Sequence, residues 1–351
     1  MSHIGKTGVL LVNQGTPDSA SVPDVRKYLR EFLMDERVMD IPYLNRWLLV
    51  NLVIAPTRAP KSAKIYQELW TPEGSPLKVY GYRVEELLQK ALGEAYDVQL
   101  AMRYQSPSIE NALARFKAAK VSKLIVLPLY PQYASATTGS VQQKVMELVK
   151  SWQEIPEMRF VNNFLSEPKF TEAFAALGRK YLEAATYDHV VFTYHGLPVR
   201  QLHKDDGVTS CDQAHCTSSF TQANQFCYRA QCYETSRLLA AQLGLAAKNY
   251  TVCFQSRLGS SPWIQPYTED TIKDLSAKGI KKALVFAPSF IADCLETTIE
   301  VGHEYKELFE AHGGTHWQLV ESLNDSPLWI ECLQELVTSK AIRSARLQAV
   351  A

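Results

Sequence analysis

No stretch of this chain is apolar for long enough to cross a lipid bilayer. The greasiest run, 48–56 (LLVNLVIAP), is broken by Asn51 and falls well short of the roughly 20 residues a spanning helix needs. An excess of charge of either sign is also missing. The 37 basic residues balance the 37 acidic ones to a formal net charge of zero, so no broad basic surface argues for nucleic acid. Nor does the N-terminus read as a secretory leader. Its apolar run, 8–12, is too short and leads into Gln14-Gly-Thr-Pro-Asp18, which reads as a strand ending in a turn. These absences set the expectation of a cytoplasmic protein, with contact at a membrane surface left open. Cysteine is sparse and odd in number, seven in all, which in a reducing compartment means mostly thiols. What remains is an ordinary globular composition, 46% hydrophobic and 21% charged, on 351 residues, long enough for two domains or one large one.

Short β-rich apolar runs alternate with longer helical patterns, as in βαβ units on a parallel sheet. Strands are predicted at 8–13, 98–103, 123–127, 189–193, 250–254 and 283–286, and helices at 22–33, 84–92, 110–119 and 234–243. The runs VLLV, LIVLPL, VVFTY and ALVFA are apolar without alternation, which suits strands covered on both faces. The two halves echo each other. VLLVNQGTP answers VVFTYHGLP, QLAMRYQSP answers TVCFQSRLGSSP, and KLIVLPLYPQY answers KALVFAPSFIAD. The fold class expected is therefore α/β, with two similar Rossmann-like, doubly wound domains on parallel sheets. Ligands of such sheets bind beyond the carboxyl ends of the strands. Gln14, Arg103, Tyr104, Tyr130, His195, Trp263, Phe290 and Glu296 all fall at those ends, and a cleft between facing domains would collect them.

Three features carry chemistry. His195 ends a buried strand and precedes Gly196 and Pro198; an imidazole there can face a cleft and titrate near neutral pH, although a lone histidine is more often a structural residue. Glu296, Glu300 and Glu304 recur at every fourth residue. On an α-helix such a row drifts by about 40° per step, and a local π-bulge would align it better. Like charges at this spacing destabilise a helix by roughly 0.2–0.5 kcal/mol per pair, which His303 would relieve in part. The row suits weak passage of a divalent metal, and it also fits a solvated helix face. Aromatics at strand ends, among them Tyr104, Tyr130, Tyr133, Tyr194, Trp263, Tyr267 and Phe290, would line a cleft for a large flat apolar ligand or else fill the core. Arg58, Lys61, Tyr66 and Ser75 add cationic and hydroxyl donors able to hold carboxylates.

The segments LLVNQGTPDS, YLREFLMDERV, EGSPL, LPLYPQYASATTGS, TYHGLP, FQSRLGSSPWIQPYTEDT and FIADCLETTIEVG resemble, in order, the signature segments of the ferrochelatases, with VNQGTPD, YHGLP and ADCLET nearest to the proteobacterial branch. The resemblance spans roughly residues 8–330. It implies two Rossmann-like domains enclosing a porphyrin cleft, and insertion of the substrate Fe²⁺ into protoporphyrin IX to give protohaem and two protons. By motif it makes His195 and Glu296 the catalytic pair and Glu300 and Glu304, with these two, the metal-handling row. It places Arg58, Tyr66, Ser75, Arg103, Tyr104, Tyr130, Trp263 and Phe290 against the porphyrin, with Gln14 at a pocket position that varies in the family. Domain limits follow as 1–165 with a lip segment, 166–325 with a four-cysteine insertion, and a helical tail 326–351. Coproporphyrin ferrochelatase and cobaltochelatase are the enzyme alternatives, and a haem-binding or Fe–S sensor protein the non-enzyme one.

Cys211, Cys216, Cys227 and Cys232 crowd into the segment after TYHGLP. Four thiolates suit a [2Fe–2S] cluster or structural zinc, and the spacing is not that of common zinc ribbons. His203 and His215 stand near enough in sequence to replace one thiolate. The resemblance favours [2Fe–2S] over zinc, no bound group or disulfides, since some bacterial ferrochelatases draw cluster ligands from an internal segment of this kind. The stretch from Trp47 to Ala55 resembles the family's apolar lip, and it also reads as a buried helix. Protoporphyrin and ferrous iron are the expected partners, with peripheral contact at the inner membrane and no nucleic acid.

Overall fold

The computed structural model describes residues 5–202, 213–259 and 261–339. They form two compact units, one built from residues up to Tyr130 with Ala134–Asn163 and the end of the last helix, the other from Pro131–Tyr133 and Phe164–Cys332.

The first unit is organised by four parallel strands, β1 (Thr7–Asn13), β2 (Tyr96–Met102), β3 (Lys123–Pro128) and β4 (Glu157–Phe160), in the order β2-β1-β3-β4. β1 pairs on both edges, and Val9, Leu10, Leu11 and Val12 are fully buried. This is why its sequence is apolar without alternation: helices cover both faces, so neither side chain set meets water. The helix Ile109–Ala118 is started by Ser108, whose Oγ accepts from the Asn111 N–H at 3.2 Å. It buries Leu113 and Phe116 against Leu10, Val126 and Val145. Each such side chain taken from water contributes roughly 1.5–3 kcal/mol.

The second unit repeats the plan. β5 (His189–His195), β6 (Tyr250–Gln255), β7 (Lys282–Phe286) and β8 (His316–Leu319) lie parallel in the order β6-β5-β7-β8, around a core of Val191, Ile272, Val285, Phe309 and Trp317. The duplication read from the sequence is thus present in the topology. All six expected strands lie within two residues of observed ones at either end. β4 and β8 were not expected: both are four-residue edge strands of mixed polarity, EMRF and HWQL.

The likeness extends to the turns that carry candidate residues. Leaving β1, Gly15 (φ +112°) passes so close to β2 that a Cβ would stand 2.1 Å from the Tyr104 carbonyl oxygen. Leaving β5, Gly196 donates its N–H to the Gln255 carbonyl at 2.9 Å, and a Cβ would meet that oxygen at 3.0 Å and Trp263 at 3.2 Å. After β2 and β6 the chain enters the left-handed region at Gln105 (φ +68°) and Ser256 (φ +63°). After β3 and β7 it enters π-helices, Ser135–Gly139 and Glu296–Glu304.

Among the described residues no helix is long and apolar enough to cross a membrane. The segment from Trp47 to Ala55 is not a buried helix. It runs from the helix Tyr43–Leu48 through a π-helical turn, Leu49–Ile54. Val50 is buried there, but Tyr43, Leu44, Trp47, Leu48, Leu52 and Val53 are exposed.

Candidate active site

His195 is the last residue of β5, after six buried positions. Its carbonyl accepts from the Tyr228 hydroxyl at 2.9 Å, and its N–H lies 3.4 Å from Ser289 Oγ. Its Nδ1 lies 2.6 Å from the Gly196 carbonyl oxygen. A carbonyl only accepts, so this contact assigns the proton of the neutral ring to Nδ1 and leaves the Nε2 lone pair free. The Trp263 and Phe290 rings flank the imidazole at 6.3 and 6.5 Å, tilted by 47° and 59°. Trp263 Nε1 is buried with no hydrogen-bond partner among the described residues, an indole donor without an acceptor beside a half-buried base.

The row that begins at Glu296 lies in the nine-residue π-helix Glu296–Glu304, closed by a Tyr305 N–H bond to the Glu300 carbonyl five residues back. The wider π turn is the local winding anticipated for these glutamates, and such segments concentrate at functional sites. Glu296 is half-buried and Glu304 exposed. Partial burial, followed by the negative charge of Glu300, raises the pKa of Glu304, while His303 opposes the shift. His303 itself lies 3.8 Å from Glu307. The neighbouring Cys294 is buried, and its thiol pKa is pushed well up by that burial and then by the Glu296 charge. Glu300 is held by partners that sequence reasoning missed. Its Oε1 accepts from the Ser256 N–H at 2.8 Å and the Tyr305 hydroxyl at 2.9 Å. Its Oε2 accepts from Ser256 Oγ at 2.5 Å and Gln255 Nε2 at 3.3 Å.

In the first unit, Arg103 and Tyr104 converge on Asp35. Its Oδ2 accepts from Arg103 Nη2 at 2.7 Å, the Tyr104 hydroxyl at 2.8 Å and Ser140 Oγ at 2.5 Å, and its Oδ1 from the Arg37 N–H at 2.8 Å. Burial raises the pKa of Asp35, but bonds from Ser140 and Arg37 and the charge of Arg103 outweigh that and hold it below the ordinary carboxylate range. Arg103 also lies 4.6 Å above the Tyr104 ring. Gln14 Nε2 approaches the Tyr28 hydroxyl at 3.4 Å, and Tyr28 packs edge-on to Tyr66 at 6.4 Å. Phe32 packs against Tyr104 at 5.3 Å, so Tyr28 and Phe32 join an aromatic wall that strand-end reasoning did not reach because both sit on the helix Val22–Leu33. Burial, then Tyr28, pushes the Tyr130 hydroxyl pKa upward. Arg58 is exposed on the helix Ala55–Leu69. Ser75 is buried at the start of the helix Pro76–Leu92, its hydroxyl without a partner. A cavity of about 530 Å³ lined by Pro23, Arg26, Lys27, Arg30, Glu31 and Gln105 includes none of the candidate residues; its open, cationic wall is unlike a site for a flat apolar ligand.

A Ferrochelatase family profile matches residues 6–341. The chain is 45% identical over 335 residues to the ferrochelatase of Legionella pneumophila strain Lens, covering 95% of this chain and 99% of that protein. It is 45% identical over 332 residues to the ferrochelatase of Coxiella burnetii strain Dugway, covering 94% and 93%. It belongs to the ferrochelatase family. Among solved structures it is similar to SirB from Bacillus subtilis with Fe³⁺, at a TM-score of 0.53 and 11% identity, covering 95% of this chain and 94% of that one, a likeness of fold.

For this ferrochelatase family member the four-cysteine segment is described in part. Cys211 and His203 lie outside the described residues. Cys216 is buried in the short helix Gln213–Ser218, Cys227 immediately precedes the helix Tyr228–Gln242, and Cys232 is buried within it. Burial pushes the Cys232 thiol pKa well up, with a hydrogen bond to Tyr228 opposing and the nearby Cys227 adding to the rise. His215 faces Ser219, its Nδ1 3.3 Å from the hydroxyl. Among the described residues no three of His, Cys, Asp or Glu gather closely enough to hold a metal ion.

Proposed function

We propose that this protein inserts ferrous iron into protoporphyrin IX, releasing two protons, as a cytoplasmic enzyme of haem synthesis. The observation that carries the reading is the setting of His195: its Nδ1 bonded to the Gly196 carbonyl, which leaves Nε2 as the other ring nitrogen, and aromatic rings on two sides. A free-base porphyrin holds two inner N–H protons, and iron enters only after they leave and the ring bends to expose its nitrogens. We assign acceptance of those protons to His195 Nε2, imidazole being the side chain most often used as a general base. Trp263 and Phe290 supply apolar faces beside His195, and walls that fit the bent macrocycle better than the flat one would direct binding at the transition state. Glu296, which heads the π-helical row of Glu296, Glu300 and Glu304, supplies carboxylate oxygens of the hard kind ferrous iron accepts. Gln14, Arg58, Tyr66, Ser75, Arg103, Tyr104 and Tyr130 are assigned to porphyrin recognition in the first unit.

The cysteine segment is assigned a [2Fe–2S] cluster held by Cys211, Cys216, Cys227 and Cys232. In its support, Cys216 lies in the helix Gln213–Ser218, Cys227 caps the helix that carries Cys232, and Cys227 is close enough to raise the Cys232 thiol pKa. A cluster there would supply one-electron redox chemistry, which iron insertion does not use, so its role is structural or sensing. The exposed apolar side chains from Tyr43 to Val53 support peripheral membrane contact, where an apolar substrate is delivered.

The decisive experiment is anaerobic incubation of the purified protein with Fe²⁺ and, in parallel, protoporphyrin IX or coproporphyrin, followed by haem absorption. Turnover confined to protoporphyrin is expected. Preference for coproporphyrin would reassign the substrate, and binding without turnover on either would make the protein a sensor. A brown, anaerobically prepared protein with charge-transfer bands is expected; a colourless one with stoichiometric zinc would remove the cluster.

A further inference from the structure

A carboxylate offers about four lone-pair positions. All four on Glu300 are occupied, by the Ser256 N–H and hydroxyl, the Tyr305 hydroxyl and Gln255 Nε2. Ser256 supplies two of these donors to the two different oxygens, a grip made possible by its left-handed backbone at φ +63°. Glu304 differs: its side chain is exposed. For iron to bind Glu300, at least one donor would have to be displaced from a half-buried carboxylate. The same four bonds tie the middle of the π-helix to the end of β6. That strand end is also where the Gln255 carbonyl receives the Gly196 N–H, next to His195.

We infer that Glu300 is a positioning residue: it anchors the π-helix, and with it Glu296, to the strand ends that carry His195, and it does not ligate the metal in transit. The inference rests on the chelatase reading and assigns different work to neighbouring members of one carboxylate row. Glu304 meets solvent and Glu296 faces the chemistry, while Glu300 holds the two in register.

The two roles of Glu300 separate by kinetics and by exchange. Zn²⁺ and Fe²⁺ insertion into protoporphyrin is measured for the full-length wild type, Glu300→Gln, Ser256→Ala and Tyr305→Phe, with hydrogen exchange followed across 296–304. Under the positioning role, E300Q lowers kcat by about 10–100-fold, the range for residues that orient a metal-handling group, with the KM for metal within about twofold of wild type. S256A and Y305F, which keep the carboxylate and remove one donor each, lower kcat in the same direction. Exchange across 296–304 then quickens in all three variants. The inference is overturned if E300Q raises the metal KM about tenfold or more while S256A and Y305F, with a less hindered carboxylate, keep wild-type kcat and exchange. Should E300Q fail to fold, the two milder variants decide. Wild-type protein inactive on every porphyrin would sink the proposed reaction, whereas the exchange comparison would still test the anchor.

Discussion

Replacing Arg103 by alanine tests whether the Asp35 cluster is a structural keystone of the first unit. The Arg103 and Asp35 side chains are 15% and 5% exposed and meet at 2.7 Å. Removing one partner of a buried pair destabilises by about 3–5 kcal/mol. Asp35 keeps its bonds from Ser140, Tyr104 and the Arg37 N–H, which places the loss near the lower end, about 3 kcal/mol. The lost stacking of the guanidinium on Tyr104 adds roughly 0.5–1 kcal/mol. Urea unfolding at pH 7 measures the difference. The pH dependence has a definite sign. Asp35 has a folded pKa below its unfolded one, so the cluster stabilises the fold above the ordinary carboxylate pKa of about 3.9 and loses that contribution as pH falls through the folded value. The gap between wild type and R103A therefore narrows in acid. Adding Asp35→Asn to R103A removes the stranded charge and restores part of the stability. An R103A protein within about 1 kcal/mol of wild type at pH 7, a range ordinary for exposed pairs, would refute the reasoning, as would a gap that widens in acid.

Other expectations follow from single contacts. His195→Ala lowers turnover by at least about 100-fold, the lower range for a lost general base, while porphyrin binding measured by difference absorption persists. Gly178→Ala destabilises by about 1–3 kcal/mol, the range for an overpacked core, because the new methyl would stand 2.4 Å from Phe286 Cζ; urea unfolding reads it. Leu52→Glu with Val53→Glu, both on the exposed apolar segment, reduces co-sedimentation with phospholipid vesicles and leaves soluble-substrate turnover unchanged. Cys232→Ser bleaches an anaerobic preparation if the cysteine segment holds iron and sulfide.

The central strands were legible because burial on both faces leaves an unbroken apolar run, and no other element of this chain writes that signature so plainly. The edge strands β4 and β8 have one covered edge and polar residues, so their patterns merge with loops. Helix starts were late for a related reason. The helix Pro76–Leu92 was expected from residue 84 and Tyr228–Gln242 from 234, the first because Pro76 and Gly81 read as breakers although Leu77 already begins its buried stripe, the second because its first turns carry tyrosine, arginine and cysteine. At the candidate site, His195 and the glutamate row were readable from strand-end position and spacing. Their partners were not. Ser256 lies 44 residues from Glu300, and Asp35 lies 68 from Arg103. Only folding brings them together, although FQS and MDERV were already visible as motif segments.

The π-helix Glu296–Glu304 has a consequence for how this region tolerates length change. A π-helical turn is an α-helix carrying one residue too many. Deleting one exposed residue inside it, such as Thr298, would let the segment rewind as a standard helix with all its backbone bonds intact. The backbone ladder would lose little, whereas the bonds that hold Glu300 would be broken. Side chains past the segment would keep their register, but those inside it would change angular position, swinging Glu300 off Ser256. Under the proposed reaction such a change would lower turnover while leaving the backbone regular, so in this segment helix regularity and activity pull in opposite directions.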